Sequence, residues 1–193
     1  MNKVYLLMGK SSSGKDSVYR EVMKRNHIGL KPVVAYTTRP IRKNETNGKQ
    51  YFFVTEEERD RLIEEGKVLE IRNYDTALGV WSYFTVNDDN WQDENPHIMI
   101  GTLDTYESLK KNCTDREIIP IYIEVEDGER LARSLRRERK EKKPKYEEMC
   151  RRFIADTKDF SEERLKELEV KNRFENVVFN DTVKKVLAFI EES

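Results

Sequence analysis

Short apolar runs of strand length alternate along this chain with charged stretches whose apolar residues recur at helical spacing. KVYLLM (3–8) is an apolar run ending at Gly9, and DSVYREVMKR (16–25) places Val18, Val22 and Met23 on one helical face. That predicts strand, loop, helix. After a break at Gly29 and Pro32, PVVAYTTRP reads as a strand entering a polar loop, and YFFVT (51–55) as another short strand. Thr55 with Glu58 makes a capping box ahead of EEERDRLIEEG, a helix stopped by Gly66. KVLEIRNYD (67–75) and WSYFTV (81–86) are extended candidates, so the middle third predicts a small β-rich lobe. HIMIG (97–101) and IIPIYIEV (118–125) are apolar strands, each followed by a helical pattern. ENVVFND (175–181) ends a third strand before TVKKVLAFIEE closes the chain as a helix. Alternating strands and helices predict an α/β fold: a parallel sheet flanked by helices.

Composition narrows the function classes. At 193 residues the chain fits one domain, and its 38% charged residues nearly cancel to a net charge of -1. No bulk field favours nucleic acid or an anionic membrane, so charge must act locally. No apolar stretch approaches the roughly 20 residues that cross a bilayer, and no signal pattern opens the chain. The expectation is a soluble cytoplasmic protein. Cys113 and Cys150 lack metal-site spacing, and His27 and His97 form no ligand pattern, so none of the four is assigned chemistry. The stretch 129–153 is strongly basic but carries Glu138, Glu141, Glu147 and Glu148 and no interleaved aromatics, which argues against a nucleic-acid contact.

The first candidate chemistry is GKSSSGKDS (9–17). Its GxxxxGK spacing runs from Gly9 to Gly14 and Lys15, between a strand and a helix, as a phosphate-binding loop requires. Backbone N–H groups of Ser11, Ser12, Ser13 and Gly14 would face phosphate oxygens, and Lys15 would reach the terminal phosphates. Asp16 stands where such loops place a magnesium-binding hydroxyl, with Ser17 one place later. A carboxylate there is favoured by the helix N-terminus, repelled by a triphosphate, and attracted by a divalent cation. Asp16 is therefore expected to meet magnesium directly or through water. The second candidate is YTTRPIRKNETNGKQYFFV (36–54), where Arg39, Arg42 and a downstream Tyr51 can fork onto one phosphate.

With that second motif the chain resembles the guanylate kinase family, whose corresponding segment reads TTRxPRxGExxGxxYxF. Thr38, Arg39, Arg42, Glu45, Gly48 and Tyr51 stand in matching places, with Pro40 displaced by one and Asn44 replacing a Gly. The resemblance covers almost the whole chain. It implies a P-loop core (1–34, 91–128 and 155–193), a monophosphate-binding lobe (35–90) and a helical lid (about 129–154). It implies ATP-dependent phosphoryl transfer to a nucleoside monophosphate, GMP first, with Mg2+ as the metal. Lys15, Arg39 and the lid arginines Arg137, Arg139 and Arg152 would act catalytically. Gly9, Ser11, Ser12, Ser13, Gly14, Lys15, Asp16, Ser17 and Asn180 would bind ATP, Asn180 near the adenine in VVFND. Thr38, Arg39, Arg42, Tyr51, Glu70, Gly79 and Asp104 would bind the acceptor, Glu70 reading the guanine edge.

Three departures bear on the acceptor. Ile100 and Thr102 occupy usually acidic places, leaving Asp104 as the first carboxylate, and the usual Tyr-Gly-Ser/Thr appears as Leu78, Gly79 and Val80. Two other readings stay open: a kinase of another small phosphorylated acceptor, and a guanylate-kinase-like interaction module without catalysis. The retained Lys15 and the many arginines speak against the latter.

Overall fold

The computed structural model describes residues 2–76, 79–88 and 93–193. Its elements run β1 (Asn2–Met8), α1 (Lys15–Lys24), β2 (Lys31–Pro32), β3 (Tyr36–Thr37), β4 (Phe52–Phe53), α2 (Glu56–Glu64), β5 (Val68–Thr76) and β6 (Gly79–Val86). They continue as β7 (His97–Ile100), α3 (Leu103–Asn112), β8 (Arg116–Glu124), α4 (Asp127–Glu138), α5 (Tyr146–Asp159), α6 (Glu162–Glu167), β9 (Arg173–Glu175) and α7 (Phe179–Glu192). One sheet has the order β2-β7-β1-β8-β9, with β2 parallel to β7 and β8 parallel to β9. Parallel neighbours such as β8 and β9 cannot be joined by a tight turn, and α4, α5 and α6 make that crossover. The expected parallel core flanked by helices is present. The chain divides into two compact units, residues 1–4, 31–99 and 104–118, and residues 5–30, 100–103 and 119–193.

In the first unit, a four-stranded sheet of order β4-β3-β6-β5 is built on the β5–β6 hairpin, whose register pairs Ile71 with Phe84 and Tyr74 with Trp81. Phe84, fully buried, packs with Leu62, Val86, Tyr36, Val54 and Val68. Of these, the buried Phe84, Leu62 and Val86 each contribute about 1.5–3 kcal/mol by leaving water. Leu62 comes from α2, which starts as expected: Thr55 accepts a hydrogen bond from the Glu58 N–H at 3.2 Å. Glu56, Glu57 and Glu58 sit in its positive first turn, and Gly66 ends it at φ 67°.

In the second unit, β8 buries Ile119 through Ile123 without alternation, as a strand covered on both faces must. α7 buries Val183, Val186, Leu187 and Ile190, one stripe at helical spacing. α1 buries Val18 and Val22.

Two strands differ from the apolar pattern. The run at 32–40 is divided, because only Lys31–Pro32 and Tyr36–Thr37 pair, and they pair in different sheets. The strand expected to reach 181 stops at Glu175. The Asn176 N–H makes a last bond to the Glu124 carbonyl at 2.8 Å, and Val178 already caps α7. Val177 and Val178 are consequently 70% and 55% exposed.

Candidate active site

The loop from Gly9 to Lys15 joins β1 to α1, and its glycines are required by close approach. A Cβ on Gly9 would lie 2.5 Å from the Ile123 carbonyl oxygen, closer than packed atoms come. Gly14 has φ 90°, and a Cβ there would lie 2.5 Å from Asn176 Nδ2. Ser12 is left-handed at φ 65° without being glycine, and its buried hydroxyl has no hydrogen-bond partner. Beside the loop lies a cavity of about 320 Å³ lined by Lys10, Ser12, Gly14, Lys15, Asp16, Ser17, Arg20, Arg133 and Arg137. Cations dominate this lining and the first turn of α1 opens onto it, so its chemistry suits a polyanion.

Lys15 Nζ lies 3.1 Å from Asp16 Oδ2, so the acid at the altered position is paired with the loop lysine. Ser17 Oγ accepts from Arg20 at 3.2 Å. Among the described residues no cluster of three or more His, Cys, Asp or Glu side chains could hold a metal ion. Asp16 is the one carboxylate in the cavity lining, a donor set that suits a cation carried mainly by phosphate oxygens and water.

The basic segment forms α4 and α5, and its arginines separate by position. Arg137 lines the cavity, whereas Arg139 is the C-terminal cap of α4 and lies outside the lining. Arg152 is exposed on α5, paired with Glu148 at 2.7 Å. Arg151 and Arg152 together hold that carboxyl at about 2. Arg133 and Arg20 line the cavity and went unnoticed in the sequence. The signal for Arg133 was its place four residues before Arg137, one turn along α4. Arg133 also donates to the Asn176 carbonyl at 3.0 Å. Asn180 sits in the first turn of α7 and accepts from Arg25 at 3.1 Å.

In the first unit the arginine segment is ordered around Glu45. Arg39, 4% exposed, makes a two-pronged pair with it, Nη1–Oε2 at 2.7 Å and Nη2–Oε1 at 2.6 Å. The guanidinium lies 5.2 Å from the ring centres of both Tyr51 and Phe53. Its hydrogen bonds hold the Glu45 carboxyl at about 2. Arg42 contributes its N–H to Glu45 at 2.9 Å, and its side chain is exposed. Thr38 Oγ1 accepts from the Ser82 N–H at 2.9 Å. Tyr51 stands edge-on to Tyr83.

Glu70 is buried on β5, where Thr85 donates to it at 2.8 Å and Arg72 Nε at 3.0 Å. The register pairs Glu70 with Thr85 and Gly79 with Thr76, so Gly79 belongs to the far end of the hairpin. Leu78 lies outside the described residues. Asp104 is in the first turn of α3, Ile100 ends β7, and Thr102 precedes α3. Thr85 is thus the hydroxyl that β6 brings to Glu70, which the spacing from Glu70 to Gly79 did not reveal.

A family model described as guanylate kinase matches residues 1–193. The chain belongs to the guanylate kinase family. The guanylate kinase of Malacoplasma penetrans is 27% identical over 193 residues, covering 94% of this chain and 87% of that relative. That of Mesomycoplasma hyopneumoniae strain 7448 is 26% identical over 196 residues, covering 100% and 93%. A crystal structure of guanylate kinase from Anaplasma phagocytophilum superposes with a TM-score of 0.65 at 18% identity, covering 99% of this chain and 85% of that one. At that identity the structural likeness speaks for the guanylate kinase fold, which this chain adopts over nearly its full length.

Proposed function

We propose that this guanylate kinase family chain transfers the γ-phosphoryl group of ATP to GMP, giving ADP and GDP. The observation that carries the reading is the cation-lined cavity on a GxxxxGK loop whose glycines cannot be replaced without collision. Phosphoryl transfer asks mainly for positioning and for cations around the spreading charge. The loop N–H groups and Lys15 would hold the ATP phosphates, with Asn180 toward the base. Arg39, Arg42, Tyr51 and Thr38 would hold the acceptor phosphate, and Arg137 the migrating group, with Arg139 and Arg152 reaching it only if α4 and α5 move. Glu70, with Thr85, would face the acceptor base, while Gly79 and Asp104 keep their places as acceptor residues to be tested. Magnesium is the divalent ion we assign, met by Asp16.

No helix among the described residues is long and apolar enough to cross a membrane, and a cytoplasmic location is part of this proposal. Engagement of Glu70 by Arg72 favours a second reading in which the acceptor base is not guanine. Coupled ADP release against a panel of nucleoside monophosphates and sugar phosphates decides between them. GMP turnover that falls in Glu70→Gln supports the first reading. Turnover of another acceptor alone supports the second, and no turnover despite ATP binding overturns both. For the metal, ATP affinity with and without magnesium is compared in the unaltered protein and Asp16→Ser. An identical metal dependence removes Asp16 from the metal site.

A further inference from the structure

The buried cation of the second unit is Arg130, a residue outside every role assigned above. It is 1% exposed, and an isolated guanidinium at that depth is expensive unless its surroundings pair with it. Its Nε donates to Asp127 at 3.0 Å and its Nη1 to Asp156 at 3.1 Å, while its guanidinium carbon lies 4.0 Å from the Phe153 ring centre. Nη2 is buried without a hydrogen-bond partner. An under-satisfied buried ion pair is a poor device for stability alone, since an apolar group of similar volume often serves as well. What the pair does touch is the phosphate loop.

Asp156 Oδ2 accepts the Ser11 N–H at 2.7 Å, and Arg130 Nη1 lies 3.4 Å from the Ser11 carbonyl oxygen. The residue is therefore held at its amide by α5 and at its carbonyl by α4. Asp127 adds a third tie, accepting from Lys10 Nζ at 3.3 Å. The next residue is Ser12, left-handed at φ 65° with its hydroxyl buried and unpartnered. Left to itself, a serine there relaxes toward negative φ, and its peptide turns with it. A glycine would hold the same shape without strain.

We propose that Arg130 and Asp156 are positioning residues that clamp the Ser11 peptide and thereby hold Ser12 in the left-handed conformation the phosphate loop requires. Neither residue is assigned a contact with nucleotide. The clamp replaces, with a buried ion pair from α4 and α5, the freedom that a glycine at position 12 would supply. It also gives these two helices a direct grip on the loop, so a displacement of α5 would be felt at Ser11. The proposal rests on the reading of the loop as the ATP phosphate site.

Its mark is a conditional rescue. ATP affinity is measured by calorimetry on folded protein for the unaltered chain, Arg130→Met, Asp156→Asn, and each of these with Ser12→Gly. Asp156→Asn keeps an oxygen for the Ser11 N–H but removes the charge that holds Arg130, which provides a milder variant should Arg130→Met fail to fold. Loss of the clamp is expected to weaken ATP binding about ten- to a hundredfold, the scale of a hydrogen bond to a charged group. Ser12→Gly is expected to restore most of that loss, so that each clamp variant carrying it binds ATP nearly as tightly as Ser12→Gly alone. A purely structural role would lower the unfolding midpoint without a loss of affinity that glycine at one loop position repairs. ATP binding that both clamp variants leave unchanged, or a loss that Ser12→Gly does not repair, overturns the clamp. Failure of the unaltered protein to bind ATP overturns the donor-site reading on which it rests.

Discussion

Replacing Gly14 by alanine tests how the loop is braced from behind. At φ 90° an alanine is strained by about 1–2 kcal/mol, the cost of a left-handed residue with a Cβ. Its Cβ would also stand 2.5 Å from Asn176 Nδ2, an amide that is 4% exposed and donates to the Ser13 carbonyl at 2.8 Å. To reach ordinary contact the amide must retreat by about 1 Å, which takes that hydrogen bond beyond working length. A buried donor and acceptor left unpaired cost about 1–3 kcal/mol more. Gly14→Ala is therefore expected to lose about 2–5 kcal/mol in all, a large share of the 5–15 kcal/mol that folds a domain. Asn176→Ala loses the same hydrogen bond but adds no strain. In the double variant the collision has no partner, so only the strain remains to be added. The double variant's loss should fall short of the sum of the two single losses by about 1–3 kcal/mol, read from urea unfolding of all four proteins. Additivity within about 0.5 kcal/mol would refute the reasoning, since independent sites behave that way.

Arg39→Lys keeps the charge but loses the planar fork, and kcat/KM for the acceptor is expected to fall about ten- to a hundredfold with ATP affinity unchanged. Unaltered acceptor kinetics would take Arg39 out of the site. Glu45, held at about 2 instead of its ordinary 4.5 by hydrogen bonds from Arg39, contributes stability that is present above that ordinary value and is lost as pH falls toward 2. Urea midpoints between those limits should slope for the unaltered protein and flatten for Glu45→Gln. His97 is fully buried, and burial lowers its pKa from the ordinary 6.5, aided by Arg116 and Lys31 and opposed by Asp93. It folds neutral while the unfolded chain takes up the proton, so stability should fall as pH drops below 6.5. His97→Leu should remove that part of the slope, and an unchanged slope would show that other groups set it.

What was legible in the sequence is what the chain writes locally. The β1–loop–α1 passage, the Thr55 cap and the α7 stripe each depend on residues within a few positions of one another, where spacing and side-chain chemistry suffice. Asn176 was not legible because its work is done 163 positions away, on Ser13, and nothing near it in sequence distinguishes it from a loop asparagine. Arg130 was hidden in a run where every neighbouring arginine looks alike until burial separates them.

The hairpin shows the same limit in the candidate acceptor site. Counting residues after Glu70 leads to Gly79, but a strand partner is chosen by register, and here the register carries an irregularity between Val68 and Glu70. The residue that meets Glu70 is therefore Thr85, and Tyr83, two positions earlier on β6, belongs to the same face of the strand. A tyrosine followed two residues later by a hydroxyl is thus present opposite Arg72 and Glu70, about five positions beyond where the count placed it. The replacement at Val80 then belongs to the hairpin's far end and carries no weight against base reading by Glu70. The chemistry that bears on acceptor choice is instead Arg72, whose guanidinium sits against that carboxylate.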